Sequence, residues 1–168
     1  YESIYNNINS NKSFTWIKRH LSPKEKSLVD GLGINGIGIS PDEKRFYPQS
    51  NLFSHIVGYV DTDNTGISGI EQYINNLNSS HSIKLTLDLR IQNILREAII
   101  ESVKKYEALG AVGIVLDSAN GEIIAMVSIP DFDPNKQGSA TSEQKFNRAT
   151  LGVYEMGSIF KLFTVAAA

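Results

Sequence analysis

The chain has 168 residues, 41% hydrophobic and 20% charged, which is room for one ordinary domain or two small ones and the balance of a folded protein rather than a disordered one. Lys and Arg number 16 against 18 Asp and Glu, a net charge of −2, so no global positive field exists to hold phosphate backbones or an anionic membrane, which argues against nucleic acid as a partner. The absence of cysteine removes disulfides, thiolate metal sites and a cysteine nucleophile, and leaves the compartment open.

After a polar start, Ser13 to Leu21 mixes Phe14, Trp16 and Ile17 with basic residues and reads as a short strand. Ser22-Pro23-Lys24-Glu25 then opens a helix, because Ser and Glu three apart form a capping box and Pro suits the first helical position. Glycines at 31, 33, 36 and 38 end it and lead into extended pieces at Ile37 to Ser40 and Lys44 to Tyr47, joined by a turn at Pro41-Asp42-Glu43. Short helices are expected at Asn51 to Val57 and from Ile67 to Leu77, and the polar run Asn75 to Ser82 reads as a linker. Ile83 to Leu87 alternates as a strand, Asp88 caps, and Ile91, Ile94, Leu95, Ala98, Ile99 and Val103 recur at helical spacing toward Tyr106. Ala111 to Leu116 and Glu122 to Ile129 are β-branched runs around Asn120-Gly121, the signature of a hairpin, so a helix packed on an antiparallel sheet is expected. Pro130 to Thr150 reads as loop, and Ser158 onward as an apolar helix suited to the middle of a domain.

The chain starts at Tyr1 without a methionine or export signal and stops at Ala168 inside that apolar stretch, so it is expected to be a piece of something larger. No window approaches the roughly 18 uninterrupted apolar residues of a membrane span, so this piece is expected to be soluble and any anchor to precede Tyr1.

Several patterns are set aside. Gly31-Leu32-Gly33-Ile34-Asn35-Gly36 has the letters of a dinucleotide loop but follows a helix and has no acidic residue about 20 positions on. Asp61-Thr62-Asp63-Asn64-Thr65-Gly66 begins like a calcium loop, yet its twelfth position is Gln72 and the glutamate is displaced to Glu71, so a turn is expected. The histidines at 20, 55 and 81 lack ligand spacing, and neither a metal nor a cofactor is expected.

Ser-x-x-Lys places a hydroxyl and an amine on one helix face, and it occurs at Ser102/Lys105, Ser142/Lys145 and Ser158/Lys161, where about one match is expected by chance. The first pair lies in a charged amphipathic helix and the second in a polar loop, where a lysine stays solvated and protonated. Ser158 follows Gly157 at the start of an apolar helix, so Lys161 is expected to be largely buried and its ammonium driven toward the neutral amine. That pair is the candidate for serine acyl chemistry, with a structurally satisfied buried lysine as the competing explanation.

Glu155-Met156-Gly157-Ser158-Ile159-Phe160-Lys161 resembles the active-site segment of penicillin-binding proteins, and Asn147-Arg148-Ala149 resembles the segment that precedes it in that family. Arg45-Phe46-Tyr47-Pro48, Gly58-Tyr59-Val60 and Gly66-Ile67-Ser68-Gly69-Ile70-Glu71 are similar to blocks of the non-catalytic pedestal domain of class B enzymes. Asp88 to Gln92 and Asp117 to Ala125 resemble the opening helix and hairpin of their transpeptidase domain. The resemblance runs in order from about Phe14 to the end of the chain. It implies an α+β chain, with residues 1–80 part of a pedestal (dimerisation-like) domain and residues 81–168 the start of a serine transpeptidase domain. Trp16-Ile17-Lys18-Arg19 and Gly58-Tyr59-Val60-Asp61 look most like the septal, division-specific type, with the elongation-specific type next.

The resemblance further implies that Ser158 attacks the D-Ala-D-Ala carbonyl of a peptidoglycan stem peptide, that Lys161 moves the hydroxyl proton, and that β-lactams acylate the same serine. It implies structural roles for Arg45, Tyr47, Pro48, Gly66, Gly69, Glu71, Asn147, Arg148, Glu155 and Gly157. It also implies division and wall-synthesis membrane proteins as partners, and a parent tethered to the inner membrane on its periplasmic side. The later Ser-x-Asn and Lys-Thr-Gly motifs do not occur after Ser158. Ser118-Ala119-Asn120 has the letters of the former but precedes the nucleophile in a turn, so these 168 residues alone are expected not to turn over. The stretch from Glu71 to Ile83 is shorter than in the family. The competing classes are a non-catalytic partner-docking module and a β-lactam sensor or serine β-lactamase, against which the pedestal-like blocks count.

Overall fold

The computed structural model describes residues 2, 5, 6, 9, 13–77 and 82–168. Its centre is an antiparallel hairpin, β1 (Ala111–Leu116) and β2 (Ile123–Ile129), paired from Ala111 opposite Ile129 to Leu116 opposite Ile123, with an irregularity after Val115. The turn forms where the sequence places it: Asp117 Oδ1 accepts from Ala119 N and Asn120 Oδ1 from Glu122 N, each at 2.9 Å or less. A long helix (Leu89–Lys105) lies on the sheet, capped by Asp88, whose Oδ1 accepts from Arg90 N and Ile91 N. Arg90 and these amide donors hold the Asp88 carboxyl below its ordinary range.

Ahead of this layer, whose long helix is α4, residues 13–77 hold four helical pieces: α1 (Pro23–Gly31), a 3₁₀ turn, α2 (Ser54–Val57) and α3 (Gly69–Leu77). The first (Pro23–Gly31) has the expected capping box, Ser22 and Glu25 satisfying each other's backbone amides. Glu25 is also bonded to Lys18, which with the Ser22 contacts lowers its carboxyl to about 2. A 3₁₀ turn (Ser50–Phe53) runs into a one-turn helix (Ser54–Val57), and the fourth piece is Gly69–Leu77. The core is formed by Ala125, Met126, Val127, Ile129 and Phe132, joined by Tyr47 and Val60 from the earlier part of the chain.

Among the described residues the largest fully buried side chains are polar: Gln92, Ser54 and Ser128. Gln92, 1% exposed, donates Nε2 to the carbonyls of Leu52 and Met126, both at 2.8 Å, and accepts at Oε1 from Met126 N at 2.9 Å. It occupies the outer edge of β2 as a neighbouring strand would, and reaches back to the 3₁₀ turn at Leu52. Further bonds run between residues 47–60 and 131–147, including Tyr47 N and O to Asn135, Asn51 to Asp131, and Gln137 Nε2 to Val60 O.

Several expectations are corrected. Residues 13–21 form no strand, because among the described residues no backbone pairs with them: Phe14 stands edge-on to Trp16, Arg19 lies over Trp16 at 4.6 Å, and Arg19 pairs with Asp42 and Asp63 at 3.0 and 2.8 Å. Those partners raise the Arg19 guanidinium further and lower the Asp42 carboxyl to about 2. The pieces at 37–47 form no strand among the described residues, and no turn forms at Pro41-Asp42-Glu43; this stretch is tied by side chains, among them Asn64 Nδ2 to Glu43 O. Ile83 to Leu87 runs beside β2 with Thr86 Oγ1 donating to Ile123 O and Asp88 N to Ile124 O, too few bonds for a ladder. Residues 130–150 are not loop: a 3₁₀ turn (Pro134–Ser139), a helical turn α5 (Ser142–Lys145) and another, α6 (Arg148–Leu151), follow a cis Ile129–Pro130 bond. Their caps, Asp133, Thr141 boxed with Gln144, and Asn147, outweigh the polar composition that reads as loop. The helix expected from Ile67 begins at Gly69. Of the linker at 75–82, residues 75–77 end the fourth helical piece and residues 78–81 lie outside the described residues.

Replacing Gln92 by Leu keeps the volume but orphans two carbonyls and an amide, at about 1–3 kcal/mol each. The Gln92→Leu chain is expected to lose about 3 kcal/mol or more, read as a lower urea midpoint with an unchanged slope. A shift below about 0.5 kcal/mol would contradict the bridging role.

Candidate active site

The sequence blocks of the earlier part come together in space. Glu71, 5% exposed, forms a two-pronged pair with Arg45, whose Nε lies 2.9 Å from Oε1 and whose other nitrogen lies 3.0 Å from Oε2. Tyr47 is buried beside them and its hydroxyl accepts from Val60 N at 3.1 Å. Burial, with the Glu71 charge next to it, pushes that hydroxyl up to about 12, so it stays protonated. Gly69 sits at φ +60°, where a side-chain carbon would lie only 2.5 Å from the Ile56 carbonyl, and at Gly66 such a carbon would collide with the Glu71 backbone; only glycine fits either place. Pro48 is exposed in the turn after Tyr47. The Asp61 to Gly66 run is a turn, as expected, with Asp61 Oδ1 accepting from Asp63 N and Thr65 N.

Asn147 caps α6 through Ala149 N at 3.0 Å and donates Nδ2 to the His55 carbonyl at 3.2 Å. Arg148 is held to the sheet by its amide, 3.0 Å from Ser128 Oγ, and by its side chain to Glu143 at 2.8 Å. Glu155 is exposed, and Gly157 takes φ +54° as the chain enters a 3₁₀ turn (Gly157–Phe160) that runs into α7 (Lys161–Ala166).

Ser158 therefore sits in a 3₁₀ turn rather than at the first turn of an α-helix, and Lys161 begins the α-helix one turn later. Both are exposed, which corrects the expected burial of Lys161 and of the helix. The physical reason is that this segment packs on itself, Phe160 tilted against Phe163 at 5.3 Å, with Ile159, Phe160 and Leu162 all more than 60% exposed. Among the described residues no element covers it. The side chains of Ser158 and Lys161 have no hydrogen-bond partner among the described residues.

The other two Ser-x-x-Lys pairs have ordinary surroundings. Ser102 returns its hydroxyl to the Ala98 carbonyl at 2.9 Å within the long helix, and Lys145 lies over the Tyr59 ring at 5.1 Å. Neither lysine faces its serine in a closed pocket. His20 approaches Asp42 at 3.8 Å, His55 contacts Gln144, and His81 lies outside the described residues. Sequence reasoning missed Gln92, Asn135, Gln137 and His55 as organisers of the structure. Each acts on a backbone group 34 or more positions away, so local spacing carried no sign of it.

Residues 111–168 match the family described as the penicillin binding protein transpeptidase domain. A probable peptidoglycan D,D-transpeptidase FtsI of Caulobacter vibrioides is 38% identical over 152 residues, covering 87% of this chain and 26% of the relative. A probable peptidoglycan D,D-transpeptidase PenA of Neisseria gonorrhoeae is 35% identical over 187 residues, covering 94% of this chain and 32% of the relative. That alignment is longer than this chain, so the relative carries internal residues without a counterpart here. The crystal structure of penicillin binding protein 3 from Mycobacterium tuberculosis superposes with a TM-score of 0.64 at 27% identity, over 74% of this chain and 31% of that one. The chain thus spans about a quarter to a third of the relatives it matches. It is a relative of the class B penicillin-binding proteins, of FtsI and PenA type, and its residues 111–168 belong to their transpeptidase domain family.

Proposed function

We propose that this chain is the nucleophile-bearing part of a peptidoglycan D,D-transpeptidase. The observation that carries the reading is the Gly157-Ser158-Ile159-Phe160-Lys161 segment inside the residues that match the transpeptidase family. Ser158 Oγ attacks the carbonyl carbon of the penultimate D-Ala of a stem peptide while its proton passes to Lys161. The C–N bond breaks, D-alanine leaves with a proton, and an ester to Ser158 remains. An amine of a neighbouring stem then attacks that ester, and Ser158 recovers its proton. The Ser158 N–H supplies one oxyanion donor. A β-lactam acylates the same oxygen by opening its ring, so nothing departs.

On this reading residues 1–80 are part of the pedestal domain and residues 81–168 the start of the catalytic domain. The Arg45, Tyr47, Gly66, Gly69 and Glu71 cluster and Pro48 shape the former, and Asn147, Arg148, Glu155 and Gly157 lead the chain to Ser158. The parent works in septal wall synthesis at the periplasmic face of the inner membrane, beside division proteins, with the elongation-specific role as its alternative. No metal or cofactor takes part. Exposed Ser158 and Lys161 need further elements to close the cleft, so the 168 residues by themselves are expected to release no D-alanine from a stem peptide. Measurable release would overturn that statement.

In the whole protein, Lys161→Ala is expected to slow acylation by a fluorescent penicillin about 10²–10⁴-fold, the usual reach of general acid–base catalysis. An unchanged rate would remove Lys161 from the proton path. Glu71→Ala, by contrast, is expected to lower stability by about 1–3 kcal/mol, the half-exposed Arg45 keeping the cost at the lower end of a broken pair, while the folded fraction still labels.

A further inference from the structure

One residue of the one-turn helix Ser54–Val57 grips α5 at Gln144 and the cap of α6 at Asn147, and so spans the connection between them. The His55 ring, with its hydrogen on Nε2, donates to the Gln144 carbonyl at 2.8 Å, and the His55 carbonyl accepts from Asn147 Nδ2 at 3.2 Å. Both partners are themselves fixed. Gln144 closes the capping box with Thr141 and donates Nε2 to Asp131 O at 3.2 Å, while Asn147 caps α6. The ring stands edge-on to Phe132 at 5.6 Å. From α6 the chain continues through Gly152, where a side-chain carbon would strike the Tyr154 ring and the Arg148 carbonyl, so Tyr154 folds back on α6 just ahead of Gly157 and Ser158.

We propose that His55 is a positioning residue for Ser158, holding the α5–α6 connection, and through it the approach to the nucleophile, in the neutral form of its ring. The proposal rests on Ser158 being the nucleophile. The charged groups around the ring are Asp131, itself held by Arg96 at 2.7 Å and by Asn51, and Arg148, which pairs with Glu143. Lys145 stands farther out, over Tyr59. A second proton leaves the bond to Gln144 in place but puts a charge against Phe132 and near Arg148, and opening the contact relieves it. Burial accordingly holds the ring below its ordinary 6.5, only partly offset by the Gln144 bond and Asp131. The open state takes up the proton first, so the clamp is at full strength above 6.5 and weakens as pH falls toward the lower folded value.

The test is hydrogen exchange of the whole protein at about pH 7.5 and about pH 5.5, corrected for intrinsic rates, together with the rate of labelling by a fluorescent penicillin. Protection of residues 141–157 is expected to fall by up to about tenfold at the lower pH while that of the long helix holds. His55→Gln keeps a donor for Gln144 O without a titrating ring. It is expected to remove both this fall and the matching acid limb of the labelling rate, with labelling at the higher pH nearly unchanged. His55→Leu is expected to loosen 141–157 at both pH values. An acid-dependent loss that persists in His55→Gln, or wild-type protection equal at both pH values, would overturn the proposal. The expected exchange pattern with no labelling of Ser158 in any variant would instead overturn the nucleophile reading, and with it the role given to His55, while the clamp itself would stand.

Discussion

Gln92 joins three parts of the molecule at one point: the long helix that carries it, the outer edge of β2, and the 3₁₀ turn at Leu52. A strand edge with free amide and carbonyl groups must be paired or wetted, and here the Gln92 amide pairs it at Met126 from within the core, with Asp88 N bonding the Ile124 carbonyl beside it. The hydrogen bonds of Asn135, Gln137, Asn51 and His55 then extend the same contact between residues 47–60 and 131–147. The approach to Ser158 is built on that contact surface, since α6 is tied both to β2 through Ser128 and to the earlier part of the chain through His55.

The segment proposed to bear the chemistry is the least supported part among the described residues. Residues 157–166 are apolar on most faces, exposed, and packed on themselves. Apolar surface of this extent calls for cover, and the relatives, three to four times longer than the matched region, have ample chain to supply it. Lys161 is exposed, so the base chemistry proposed for it calls for further elements that close the cleft around it.

The sequence was legible where a local signal decided the structure. The Ser22 capping box, the Asp88 cap with its amphipathic helix and the Asn120-Gly121 hairpin all stand where their residues place them. Thr141 with Gln144 carries an equally local signal, masked by the polar composition around it. The strands expected at 13–21 and 83–87 failed for a different reason: alternation announces a pleated segment, but a ladder needs a partner, which no local pattern supplies. At the site, the glycines and the Arg45–Glu71 pair were marked by their resemblance to known blocks, and the structure gives them contacts that explain the residue types. Ser158 and Lys161 were readable as a pair from spacing and resemblance, whereas the burial expected of Lys161 was a tertiary property that apolar neighbours in sequence do not guarantee.

The account turns on Ser158 being an acylable nucleophile. The whole protein, incubated with a β-lactam and examined by intact mass and peptide mapping, is predicted to gain one mass equivalent of the drug, located on the peptide that contains Ser158 and absent in Ser158→Ala. A folded protein that gains no mass, or gains it on another residue, would contradict the assignment.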